Sequence, residues 1–390
     1  MYYDAPTGFI ETFAGGSAVR SAKPRARSRR TSAIVLCVVL TASAGAATAC
    51  SSSTSTASSG AVAMPAHGPL EQHQLRIGIP KGEIGALPIY TGVDKGYFKD
   101  QGIDVTIDDS YQTYQDALQA LNDGKVDLVY DDYVHAILSQ STGAYRLQLV
   151  AEGYTAGDGS VELLSKVTGL KNAQEIKNVF DAAGGFLVPT AGTNDANDAY
   201  TVPTIMLMTS LPDLANSFRI KAANSAAHLK SMAPGDLSEK LFAKSGSADT
   251  SMAAVVPEPY YSYATNNNKM VQLMDLTRGS TQAMPMGGYF TKQDFAVEKT
   301  NLFKAFTGAL NQAKTATSQR ATAMTEMQAH YGTMANSTVA ASISFGTFPT
   351  TVNVDRVDRV LTLMQSLDLA PYYNIDTMMP PDALRSSTGS

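Results

Sequence analysis

The sequence predicts an α/β protein built as two lobes, each a mixed, mostly parallel sheet flanked by helices, with a cleft between them. Short apolar runs alternate with segments of helical period, the pattern of strand-helix units on a shared sheet. The alternation occurs in two successive sets. The part of the chain with globular composition spans about 315 residues, too many for one small core.

In the first set, Leu75 to Pro80 alternates as a strand, and Pro88 to Gly96 reads as a helix ended by its glycine. Val105 to Asp108 is a strand. Tyr114 to Leu121 places Ala117, Leu118 and Leu121 on one helical face and stops at Asn122-Asp123-Gly124. Val126 to Tyr130 is a strand, Asp132 to Gln140 a helix and Leu147 to Ala151 a strand. The second set runs Phe186 to Val188 (strand), Asp195 to Met208 (helix), Phe218 to Lys221 (strand), Leu237 to Lys244 (helix) and Met252 to Val256 (strand). Helix then resumes over Tyr260 to Ala264. From about Thr291 helix dominates, over Leu302 to Ala313, Ala321 to Tyr331 and Val357 to Leu367. No internal sequence repeat is present.

The chain has 390 residues, 44% hydrophobic and 17% charged, a composition that excludes wholesale disorder and a multi-span membrane protein. A net charge of −5 excludes a nucleic-acid partner, because phosphates require a basic face. Two Cys build neither a disulfide scaffold nor a zinc site unaided.

The first 49 residues read as an export signal. Arg20, Lys23, Arg25, Arg27, Arg29 and Arg30 precede the apolar run Ala33 to Leu40 and then small residues up to Cys50. That run is far shorter than the roughly 20 residues a membrane span needs. Ala47-Thr48-Ala49-Cys50 resembles a bacterial lipobox, with Ala47 where Leu is usual, which implies lipid attachment at Cys50; ordinary secretion is the alternative. Ser28-Arg29-Arg30 loosely resembles a twin-arginine signal but lacks the following Phe or Leu. Removing residues 1–49 leaves 24 basic and 33 acidic residues, a net charge of −9. The body is then free of Cys, which suits an oxidising exterior. Ser51 to Gly60 is a flexible composition, so residues 50–73 read as a tether.

Ile84 to Gly102 (IGALPIYTGVDKGYFKDQG), followed by Ile103-Asp104-Val105, resembles the opening of ABC-transporter substrate-binding proteins of the nitrate/sulfonate/taurine/thiamine-precursor family. Ala117-Leu118 through Gly124-Lys125-Val126-Asp127 resembles the family's next segment. Val255-Val256-Pro257-Glu258-Pro259-Tyr260 is similar to its strand-to-helix turn in the second lobe, and Gly287-Gly288-Tyr289 to the return into the first. Val357 to Leu369 and Ile375 to Met379 resemble the closing helix and tail. The resemblance covers the chain from about residue 74. It implies the type II periplasmic-binding-protein fold, divided as 74–163 (first lobe), 164–264 (second lobe) and 265–390 (return and C-terminal helices). It also implies hinge closure on a small molecule and delivery to an ABC permease.

Ligands in such sheets sit at carboxyl ends of strands. Lys81-Gly82-Glu83 follow the first strand, either as cleft residues or as an ordinary turn. Tyr130-Asp131-Asp132-Tyr133 joins a strand to a helix. One aspartate suffices as cap, leaving a second carboxylate with aromatic walls for a cationic or polyhydroxylated ligand. His135, one turn on, is placed to pair with Asp132. Thr190, Gly192, Thr193 and Asn194 precede a helix and read as an anion seat, opposed by Asp195 and Asp198, or as a self-capped start. Glu258 and Tyr260 enter through the resemblance; Pro259 between them also favours a helix start by itself. Tyr154 and Tyr289 complete the aromatic candidates, since Trp is absent.

No catalytic residue, metal site or cofactor is expected: the five His form no spaced pair, and nucleotide and hydrolase fingerprints are missing. The leading expectation is a monomeric, lipid-anchored solute-binding protein on the extracytoplasmic face of the cell membrane, taking a neutral or cationic molecule in preference to an anion. The alternatives are a surface lipoprotein with a degenerate cleft acting in sensing or protein contacts, and an enzyme resembling thiamine-pyrimidine synthases. The Cys-rich motif of those synthases is missing here.

Overall fold

The computed structural model describes residues 67–182, 185–192, 196–211, 229–233, 237, 253–268 and 270–380. The expected signal, Cys50, most of the tether, the strand over 218–221, most of the helix over 237–244, and Thr193, Asn194 and Asp195 lie outside them.

The first lobe opens with β1 (Gln74–Pro80), α1 (Leu87–Asp94) and α2 (Tyr97–Asp100). Leu75 and Ile77 of β1 face inward between exposed Gln74 and Arg76, the period-two signature. Gly96, at φ +77°, makes the left-handed corner between the two helices. Then come β2 (Asp104–Tyr111), α3 (Tyr114–Asn122), β3 (Leu128–Asp132), α4 (Tyr133–Ser141) and β4 (Leu147–Thr155). A reciprocal capping box of Thr113 and Asp116 starts α3. The second lobe holds β5 (Val161–Ser165), α5 (Ala173–Ala182), β6 (Phe186–Pro189), α6 (Val202–Ser210), β7 (Leu229–Met232), β8 (Ala253–Pro257), α7 (Tyr260–Asn268) and β9 (Val271–Asp275). The single helix expected over 195–208 is a short 3-10 turn, Ala196–Ala199, followed by α6, because Pro203 in the first turn suits a new helix start. The chain returns through β10 (Pro285–Lys292).

The sheets run β2-β1-β3-β10-β4 and β7-β6-β8-β5-β9. In each, four strands point one way and the fourth in order, β10 or β5, runs antiparallel to both neighbours. That odd strand is the one arriving from the other lobe. The crossings occupy residues 156–160 and 276–284, so β9 belongs to the second sheet and the second crossing falls after Asp275 rather than at 264/265. The strand alternation of β9 (VQLMD) pairs it with β5.

Helices finish the chain: α8 (Gln293–Glu298), α9 (Thr300–Thr317), α10 (Arg320–His330), α11 (Ser337–Ser342) and α12 (Val354–Ser366). Phe303, Phe306 and Leu310 of α9 are fully buried in a core shared with Ile89 and Phe98. Each such side chain contributes roughly 1.5–3 kcal/mol by burial. Helices α10 and α11 pack on α1 and α7, and α12 on α4 and α6, so the C-terminal helices touch both lobes. Among the described residues no helix is long and apolar enough to cross a membrane.

Candidate functional site

The strand ends of both sheets converge on one inter-lobe cavity with a total empty volume of about 690 Å³, its mouth included. Hydrogen bonds join the lobes directly around it. Val202 N donates to Asp132 Oδ2 (2.9 Å), Tyr260 Oη to the Lys81 carbonyl (3.1 Å), and Gln115 N to the Ala191 carbonyl (2.8 Å).

Asp132 is the centre of this arrangement. Its Oδ1 accepts from Val134 N (2.8 Å) and His135 N (3.3 Å), capping α4, while its Oδ2 reaches across to the first residue of α6. Thr201 at the α6 start makes no side-chain cap of its own, so a carboxyl from the other lobe supplies it. Burial pushes the Asp132 carboxyl up to about 8, against the pull of the Val202, His135 and Val134 N–H groups.

Two further carboxyls line the same cavity. Glu83 caps the 3-10 turn Ile84–Ala86 through Gly85 N (2.9 Å) and accepts from Tyr114 Oη (2.5 Å). Burial raises its pKa, while the Tyr114 hydroxyl opposes the rise. Glu258 accepts from Ser344 N (2.9 Å), Ser262 N (3.1 Å) and Ser262 Oγ (2.8 Å), and burial pushes it up to about 7. Among the described lining residues the sole basic side chain is Lys81, which is exposed. Tyr114, Tyr154, Tyr260 and Met286 supply the aromatic and apolar walls. Tyr154 is held by a hydrogen bond that its Oη accepts from Gly346 N (2.6 Å).

Of the residues singled out in the sequence, Lys81, Glu83, Asp132, Tyr154, Thr190, Glu258 and Tyr260 line the cavity. Four others do not. Tyr130 is buried beneath the 84–86 turn, where a Cβ on Gly85 would fall 1.9 Å from its hydroxyl. Tyr289 packs edge-on against it and donates to the Gly85 carbonyl (3.1 Å). Gly192 is buried against Asp198. Asp131 is not among the lining residues and pairs with His135 Nδ1 (2.8 Å), so the imidazole's partner is Asp131 and not Asp132. Adjacent residues of a strand face opposite sides, which sends only one of the two aspartates into the cavity. Gln112, Thr113, Tyr114, Ser160, Thr201 and Met286 also line it, and sequence reading missed them. For Thr113 a signal existed in its capping box with Asp116; the others carry none.

This two-lobed arrangement is that of periplasmic binding proteins, and the comparisons agree. A family model described as NMT1/THI5 like matches residues 84–178. The fold is similar to that of the nitrate-binding protein NrtA from Synechocystis: TM-score 0.61, 13% identity, 81% of this chain and 88% of that one covered. It is also similar to the alkanesulfonate-binding protein SsuA from Xanthomonas axonopodis, solved with bound MOPS (0.58, 15%, covering 80% and 99%). The periplasmic aliphatic sulphonate-binding protein SsuA from Escherichia coli gives 0.57 and 16%, covering 80% and 99%. No curated protein matches the sequence significantly.

Proposed function

We propose that this chain is an extracytoplasmic, lipid-anchored solute-binding protein that closes its lobes on a small organic molecule and hands it to an ABC importer. The cavity between two hinged sheets supports the binding role, as does the shared fold of neighbours whose titles describe sulfonate- and nitrate-binding proteins. The signal-like N-terminus and Cys50 support the anchor. One observation supports the ligand class: three carboxyls, Glu83, Asp132 and Glu258, line a cavity whose described residues include one exposed lysine. Among the described lining residues a sulfonate or nitrate would find no buried cation to neutralise it. A neutral hydrogen-bonding molecule or an amine fits, with Tyr114, Tyr154 and Tyr260 as walls.

Burial holds the Asp132 and Glu258 protons in the unliganded cleft. A cation stabilises the ionised forms, so its binding releases protons and its affinity rises as pH increases through about 7 to 8. Calorimetry of the purified chain against amines, pyrimidines, flavins and sulfonates tests this. The expected result is a micromolar amine or neutral heterocycle with proton release for the cations. Tightest binding by a sulfonate, or silence across the panel, overturns the reading.

A further inference from the structure

Outside the cleft, among the described residues, one cluster combines a histidine with two carboxylates. Asp94 ends α1, while Glu326 and His330 lie one turn apart on α10. His330 Nε2 sits 2.9 Å from Asp94 Oδ2 and 3.7 Å from Glu326 Oε2, and one ligand atom from each of the three falls within 4.8 Å of the others. Zinc bonds of about 2.0–2.2 Å to nitrogen and oxygen place tetrahedral ligand atoms about 3.4 Å apart. The two measured separations bracket that spacing.

Glu326 gives this cluster its second, independent support. The residue is 6% exposed, its carboxyl faces Asp94 and His330, and among the described residues it has no hydrogen-bond donor outside the trio. His330 cannot satisfy both acids, since its Nε2 carries at most one proton and already lies on Asp94. The imidazole ring is stacked on Tyr90 at 4.4 Å, which fixes the direction of Nε2. Asp94 is half exposed, leaving an entry path and room for water ligands.

We propose that Asp94, Glu326 and His330 form a binding site for one divalent transition-metal ion of the Zn²⁺ class, clamping α10 onto α1. One imidazole nitrogen and two carboxylate oxygens suit such an ion, while Ca²⁺ and Mg²⁺ favour all-oxygen sites. The bound ion would hold α10 at the end that continues into Tyr331, whose hydroxyl donates to the Glu83 carbonyl (2.6 Å) at the cleft.

Chelator-stripped chain titrated with ZnCl₂ by calorimetry, and with CoCl₂ by visible absorbance, tests the site. One saturable ion per chain is expected, with affinity reduced at least about tenfold by His330→Gln and by Asp94→Asn, and unchanged by His73→Gln. Far-UV circular dichroism reports folding of each variant. Because Asp94 is half exposed, Asp94→Asn decides the matter should the histidine variant misfold. Absence of stoichiometric Zn²⁺ binding overturns the assignment, as does binding that survives Asp94→Asn, or equal binding of Ca²⁺.

Discussion

Replacing Asp132 by Asn separates the two tasks of this side chain. The carboxyl offers one oxygen to the α4 N-terminus and the other to Val202 N of α6, across the cleft. An amide has a single acceptor and presents N–H₂ on the other side, so it can cap one helix only. With the oxygen kept on Val134 and His135, the Val202 N–H loses its partner and faces a donor. Loss of a cap costs about 0.5–2 kcal/mol, and a buried unpaired donor about 1–3 kcal/mol. Taking about 1–2 kcal/mol as the cost to the closed state, its population relative to the open one falls about 5- to 30-fold. Hydrogen-deuterium exchange of the segment beginning at Val202 reads this directly, with exchange expected to accelerate by that factor while the amides of β1 are unchanged. Exchange at Val202 within twofold of the parent would refute the bridging role of Asp132.

Stability should fall as pH rises from about 4 to about 8, because Asp132 and Glu162 (each pushed up to about 8) and Glu258 (about 7) hold protons in the folded state that the unfolded chain has released. Buried Lys314, pushed down to about 7, acts oppositely between about 7 and 10.5, where the unfolded chain holds the extra proton. Thermal melts at pH 5.5 and 7.0 should therefore give the higher Tm at pH 5.5, and the reverse order would count against these assignments. Arg356→Met should destabilise by about 3 kcal/mol, since it strands buried Glu152, which Arg356 grips through Nε and Nη2 at 2.9 Å each. The double variant with Glu152→Gln should recover part of that loss in denaturant melts; additive losses would refute the pairing.

Periodicity located most helices, because their burial follows a simple repeat: Ala117, Leu118 and Leu121 of α3 face the core as their spacing requires. The wrapped strands were harder. β4 is buried along its whole length and β10 nearly so, so neither shows alternation, and β10 announces itself through Gly287-Gly288 alone. The matching order of the two sheets is also invisible in the residues, since no sequence repeat accompanies it. At the site, strand ends marked the right neighbourhood, but facing could not be read. Tyr130 and Tyr289 satisfy an aromatic-wall reading equally well, yet both serve as floor beneath the 84–86 turn. Met286 and Thr201 enter the cavity only through the meeting of lobes that are distant in sequence.

The placement of β10 between β3 and β4 also dictates an order of assembly. Those two neighbours are synthesised long before the strand that separates them, and until it arrives each presents an unpaired edge open to any other strand. The second sheet draws all five of its strands from within Val161–Asp275 and completes itself first. The first lobe, with β10 and α9 both supplied late, forms only when the chain is nearly whole. Closing the first sheet therefore joins segments far apart in the chain, which raises the chain-entropy cost of forming this lobe.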